Sequence, residues 1–145
     1  MSFLSAFNTS VSGMTAQRQR VNTISENIAN AETTRTPQGG PYRRREVILA
    51  SVANDRTFEE ELLSQDRSVS TSTEVKVVGI VQDERPPILR FEPGHPDANE
   101  EGYVEMPNVN IMEEMVNLMS ANRSYEANTA AFNACLLYTS DAADE

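Results

Sequence analysis

The chain has no tryptophan, one cysteine and one histidine among its 145 residues, and each shortage closes off a class of protein. A lone cysteine, Cys135, cannot form an internal disulfide, so no covalent staple supports the fold. A lone histidine, His95, leaves a Ser-His-Asp triad or a metal site with no second imidazole and no nearby thiol. Glycines occur in no phosphate-cradling arrangement, and the acidic run Glu59-Glu60-Glu61 has no partner pattern for acid/base work. The expectation is a protein that is not an enzyme, with no catalytic residue, metal or cofactor. Long hydrophobic runs are also missing, so no segment approaches a transmembrane length. At the N-terminus, Ser5, Asn8, Thr9 and Ser10 interrupt what would have to be an unbroken apolar stretch, so no cleaved secretory signal is expected. Positive charge is scarce: 12 Lys and Arg face 22 Asp and Glu, a formal net charge of −10. Generic binding to nucleic acid or to an anionic membrane is therefore disfavoured. The one basic cluster, Arg43-Arg44-Arg45, lacks interleaved aromatics and reads as a loop pairing with the protein's own acidic surface. With 39% hydrophobic residues and a long polar middle, little is left to fill a large core, and an elongated molecule is expected.

What the chain does have is two long stretches of helical periodicity, one at each end. In the first thirty residues, Leu4, Phe7, Val11, Met14, Val21 and Ile28 fall at gaps of three and four, with Arg18 and Ser25 in the remaining turns. Near the other end, Ile111, Met115, Leu118, Asn122, Tyr125, Thr129 and Phe132 repeat that spacing. A 3,4 repeat keeps one narrow stripe on one helix face, which suits pairing with one or two other helices. The reading is α+β: long terminal helices forming an antiparallel coiled coil around a small β-rich middle. The chain divides into an N-terminal helix (1–30), a loop and β-rich middle (31–109), a C-terminal helix (110–134) and a tail (135–145).

Within the middle, Pro37 and Gly39-Gly40 close the first helix near Asn30. The segment 46–53 leans to strand, 54–72 reads as a polar loop, and 73–82 alternates as a strand. The ILRF segment after Pro86-Pro87 is expected to be the hairpin partner of 73–82, and 103–106 a short strand. Asn110 is placed as the N-cap of the second helix, with Glu113 completing a capping-box-like pattern. Asn27 and Asn30 are expected to cap or hydrogen-bond the chain where the first helix ends.

The run SGMTAQRQRVNTISENIANAETTRTPQGGPYRRREV closely resembles the N-terminal signature of bacterial flagellar axial proteins, the rod, hook and associated subunits. Its motif Asn27-Ile28-Ala29-Asn30 is shared by many axial proteins. The stretch PGHPDANEEGYV followed by PNVNIMEEMV, with the terminal EMVNLMSANRSYEAN, is similar to the proximal rod subunits among them. The resemblance implies a structural subunit of the basal-body rod that polymerises with itself and with other rod subunits through its terminal helices and transmits torque. It also implies export through the flagellar type III apparatus without signal cleavage, to a rod that spans the periplasm. The polar seam positions Arg18, Ser25, Asn122 and Thr129 fit such an assembly, since they weaken an isolated pair while fixing register among several helices.

The last residues, CLLYTSDAADE, depart from the family pattern and read as a translated transposase-type sequencing adaptor: TGT CTC TTA TAC ACA TCT GAC GCT GCC GAC encodes Cys135 to Asp144. The alternative function is a helical-hairpin adaptor or co-chaperone, for which His95-Pro96-Asp97, the tripeptide of J-domain proteins, would be the active loop.

Overall fold

The computed structural model describes residues 3–53 and 73–143; the expected polar loop 54–72, including Glu59-Glu60-Glu61, lies outside the described residues. The element order is helix α1 (Phe3–Ala29), strands β1 (Arg45–Ala53), β2 (Thr73–Gln82), β3 (Ile88–Phe91) and β4 (Tyr103–Met106), and helix α2 (Ile111–Ala143). Antiparallel packing of α1 on α2 is fixed at three levels. Phe7 meets Phe132 with ring centroids 4.6 Å apart, the Thr129 hydroxyl donates to Met14 Sδ at 3.4 Å, and Asn27 reaches Glu114 at 3.0 Å. The two ends of the chain thus bracket an unlike middle.

Each helix ends where its chemistry dictates. Asn110 Oδ1 accepts from the backbone N–H groups of Met112 at 3.1 Å and Glu113 at 3.4 Å, so it caps α2 as expected. At the other boundary Asn30 bonds the Glu26 carbonyl twice, through its backbone N–H at 3.0 Å and its side-chain Nδ2 at 2.9 Å, closing the last turn of α1. Beyond it, Gly39 and Gly40 take φ of 90° and 74° in the turn that sends the chain back towards β1. Helix α2 runs past its expected end at Ala134 to Ala143, because CLLYTSDAA contains neither proline nor glycine and is rich in Leu and Ala.

The strands fall at their expected positions, but one pairing does not. Strand β2 pairs antiparallel with β1, from Arg45↔Gln82 to Ala53↔Thr73, with a register shift at Ile48/Leu49. ILRF is not the partner of β2; as β3 it pairs with β4, from Ile88↔Met106 to Phe91↔Tyr103. The reason is local: Pro86-Pro87 stiffens the exit from β2, whereas the segment after β3 folds back through successive hydrogen-bonded turns. Those turns are closed by His95 N–H to the Glu92 carbonyl (3.0 Å), Ala98 to His95 (3.0 Å) and Gly102 to Asn99 (2.9 Å). Gly102 is needed there, since its φ is +82° and a Cβ would come within 3.0 Å of the Phe91 ring.

Helix α1 packs against α2, β1 and β2, while among the described residues the backbones of β3 and β4 pair only with each other. The hairpin is tied instead through the loop after α1, by Thr34 and Arg35 to the Asp97 carboxylate. Buried apolar residues are few: among the described residues Ala16, Ile24, Val104 and Ala121 make up the core.

Candidate functional site: a buried polar junction beneath an open helix face

The most enclosed polar cluster lies where α1 ends, β1 begins and α2 starts. Asn27 and Glu114 are each 1% exposed. Asn27 Oδ1 accepts from the Arg45 N–H at 2.9 Å and the Tyr42 hydroxyl at 3.0 Å, and Asn27 Nδ2 donates to the Arg45 carbonyl at 2.8 Å and Glu114 Oε2 at 3.0 Å. Both ends of the amide are therefore satisfied, and Asn27 grips both backbone groups of Arg45, the first residue of β1, as a neighbouring strand would. The other Glu114 oxygen accepts from Arg44 Nε at 2.8 Å, and Arg44 also reaches Glu46 at 3.3 Å. Burial alone would lower the Arg44 pKa, but the hydrogen bond and charge of Glu114 outweigh it and hold it above the usual arginine value. Burial likewise raises the Tyr42 hydroxyl, so it stays protonated and keeps donating to Asn27. Arg45 completes the cluster, 3.5 Å from Glu26 and over the Tyr42 ring. Two members of the basic triplet thus pair with the chain's own acids, and Arg43 is exposed.

Above this junction α1 and α2 approach along small residues. A Cβ on Gly13 would lie 3.0 Å from Asn128 Nδ2, and Ala16 and Ala121 are buried. On another side, α1 engages β2 through hydroxyls: Thr9 Oγ1 donates to the Thr73 carbonyl at 2.8 Å, and Ser12 Oγ accepts from the Val75 N–H at 3.1 Å. The intrachain contact takes only part of the expected 3,4 stripes. Phe7, Met14, Thr129 and Phe132 come together, and Val21, Ile28 and Leu118 are half-buried. Val11, Ile111, Met115 and Tyr125 remain 38–47% exposed, and Leu4 lies outside the residues whose side chains are described. Further round α2, Met112 is 71% exposed, Val116 60% and Met119 57%. With Met115 these residues occupy i, i+3, i+4 and i+7, an exposed apolar helix face that nothing among the described residues covers.

Comparison with known proteins decides the family. A model described as "Flagella basal body rod protein" matches residues 7–35, which hold most of α1 and the start of the loop after it. Another, "Flagellar basal body rod FlgEFG protein C-terminal", matches residues 100–135, which hold β4 and most of α2. Flagellar basal-body rod protein FlgC of Borreliella burgdorferi is 42% identical over 137 residues, covering 92% of this chain and 90% of the relative. The chain belongs to the FlgC family of flagellar basal-body rod proteins. FlgC of Bacillus subtilis is 44% identical over 139 residues, and that of Salmonella typhimurium 37% over 134, each covering 92% of this chain. The family is one of structural rod components, and the motif Asn27-Ile28-Ala29-Asn30 lies within the first matched segment, its leading Asn27 at the centre of the junction. The tripeptide His95-Pro96-Asp97, by contrast, sits in the β3–β4 connection with Asp97 held by Thr34 and Arg35, not between two helices. Sequence reasoning missed Glu114, because an acid in the first turn of a helix looks like ordinary N-terminal charge. Its one signal was a second glutamate beside the capping-box position.

Proposed function

We propose that this chain is a subunit of the proximal rod that polymerises, with itself and with other rod subunits, through α1 and α2. The observation that carries the reading is the uncovered face Met112, Met115, Val116, Met119 on a helix of a rod-family protein. An apolar face of this extent on a folded chain marks a contact with another molecule. Phe7, Met14 and Phe132 hold the two helices within one chain, while Val11, Ile111, Met115 and Tyr125 are left to meet neighbours. Torque passes between subunits along these helices, and the Asn27–Glu114–Arg44 junction ties both helices to β1 so that they move as a unit. The route to the rod is the flagellar type III export apparatus, without a cleaved signal.

The test is complementation of a strain lacking its own FlgC-family protein. This chain is expected to restore swimming and to be found in purified hook–basal bodies. A chain that is secreted yet absent from those basal bodies would overturn the reading.

A further inference from the structure

Between α1, the start of α2 and β1 lies a cleft of about 240 Å³ whose polar lining is Arg20, Thr23, Arg44, Arg45, Glu46 and Asn117. Two of its three arginines are already paired, Arg44 with Glu114 at 2.8 Å and Glu46 at 3.3 Å and Arg45 with Glu26 at 3.5 Å, in a chain of formal charge −10. Four arginines among the described residues, Arg18, Arg20, Arg43 and Arg123, have no carboxylate within ion-pairing distance. Three of them are exposed and need none; Arg20 is the half-buried one, and it lines the cleft. A half-buried guanidinium with no carboxylate of its own has hydrogen-bond donors to offer an anion that joins it.

We propose that this cleft is a socket for an acidic side chain of an adjoining rod subunit, an inference that rests on the rod reading above. Acids are what such a neighbour has in excess: a second copy of this chain offers exposed Glu100, Glu101, Glu105, Glu113 and Glu126. Copies this acidic repel one another at long range, and the unpaired Arg20 guanidinium gives each contact a local attraction and a fixed register. The planar guanidinium of Arg20 suits a carboxylate, since it can donate two parallel hydrogen bonds.

The experiment compares wild type, Arg20→Glu, Arg20→Gln and Arg20→Lys in the full chain, reading thermal unfolding of the purified proteins and their amount in hook–basal bodies. Arg20 makes no ion pair within the chain, so the melting temperature of Arg20→Glu is expected to stay close to that of wild type. Its incorporation is expected to fall at least about tenfold, the loss typical of breaking one enclosed charge pair at an interface. Arg20→Gln is expected to fold normally and to lose incorporation as well, and Arg20→Lys to retain part of it. Wild-type incorporation by folded Arg20→Glu or Arg20→Gln would overturn the socket while leaving the rod reading intact. If wild type itself were missing from basal bodies, the rod reading would be what failed. Millimolar inorganic phosphate separates a free anion from a neighbour's side chain. If phosphate raises the melting temperature of wild type but not of Arg20→Gln, and both incorporate equally, the ligand is a small anion and the proposal is wrong.

Discussion

Asn27 and Asn30 stand three positions apart in one motif, yet their surroundings give substitutions there very different consequences. Asn30 makes a bond to the Glu26 carbonyl at an exposed helix end, so Asn30→Ala is expected to cost about 0.5–1 kcal/mol in urea denaturation. Asn27→Asp keeps the shape but turns a donor into an acceptor facing the Arg45 carbonyl and the Glu114 carboxylate. Roughly 3 kcal/mol or more should be lost, because a second negative charge is then buried against the first. Equal losses for the two variants would mean that the junction does not hold the helices. At the surface, Asp83 is held near a pKa of about 2 by hydrogen bonds from Arg85. Its folded value lies below the usual carboxylate value of about 3.9, so its contribution is present above that pH and lost as pH falls towards 2. The pair is exposed and only two residues apart, so the contribution to stability is slight. An NMR titration should still find the low midpoint, and Arg85→Ala should return it towards the ordinary value.

Helix α1 shows how far periodicity reaches. Its limits, those of all four strands and the Asn110 cap were legible, because proline, glycine, alternation and cap chemistry act locally. The rotation of the buried stripe was not. Apolar spacing marks Phe7, Val11 and Met14, whereas closest approach runs along Gly13, Ala16 and Ala121, which carry little hydrophobic signal. Small residues let two backbones near each other, and a pattern search for large apolar residues passes them by. The partner of β3 was illegible for a related reason: Pro86-Pro87 shapes the connection but does not say which strand the next one meets. Gly13 tests the close approach. Gly13→Ala should be near neutral, since about 1 kcal/mol of helix propensity offsets displacement of Asn128. Gly13→Val should cost about 1–3 kcal/mol by forcing the helices apart. A tolerated valine would contradict the packing.

The whole molecule is a helix pair with a thin core of small residues, a polar junction at one end and apolar surface left over along α2. That balance suits a chain completed by its neighbours, since helices with so little apolar burial gain much of their stability from further packing. The tail from Cys135 to Glu145 begins where the family match ends, at residue 135, and its deletion is expected to leave swimming of a complemented strain unchanged. Swimming lost on that deletion would assign those residues to the working protein. Met115 offers the most direct test of assembly through the helices: it is 47% exposed, so Met115→Asp should leave the isolated chain folded by circular dichroism. In a strain lacking its own FlgC-family protein, this variant is expected to be exported but to give neither rods nor swimming, because it buries an unpaired charge against a neighbouring helix. Normal rods and normal swimming with Met115→Asp would contradict the account.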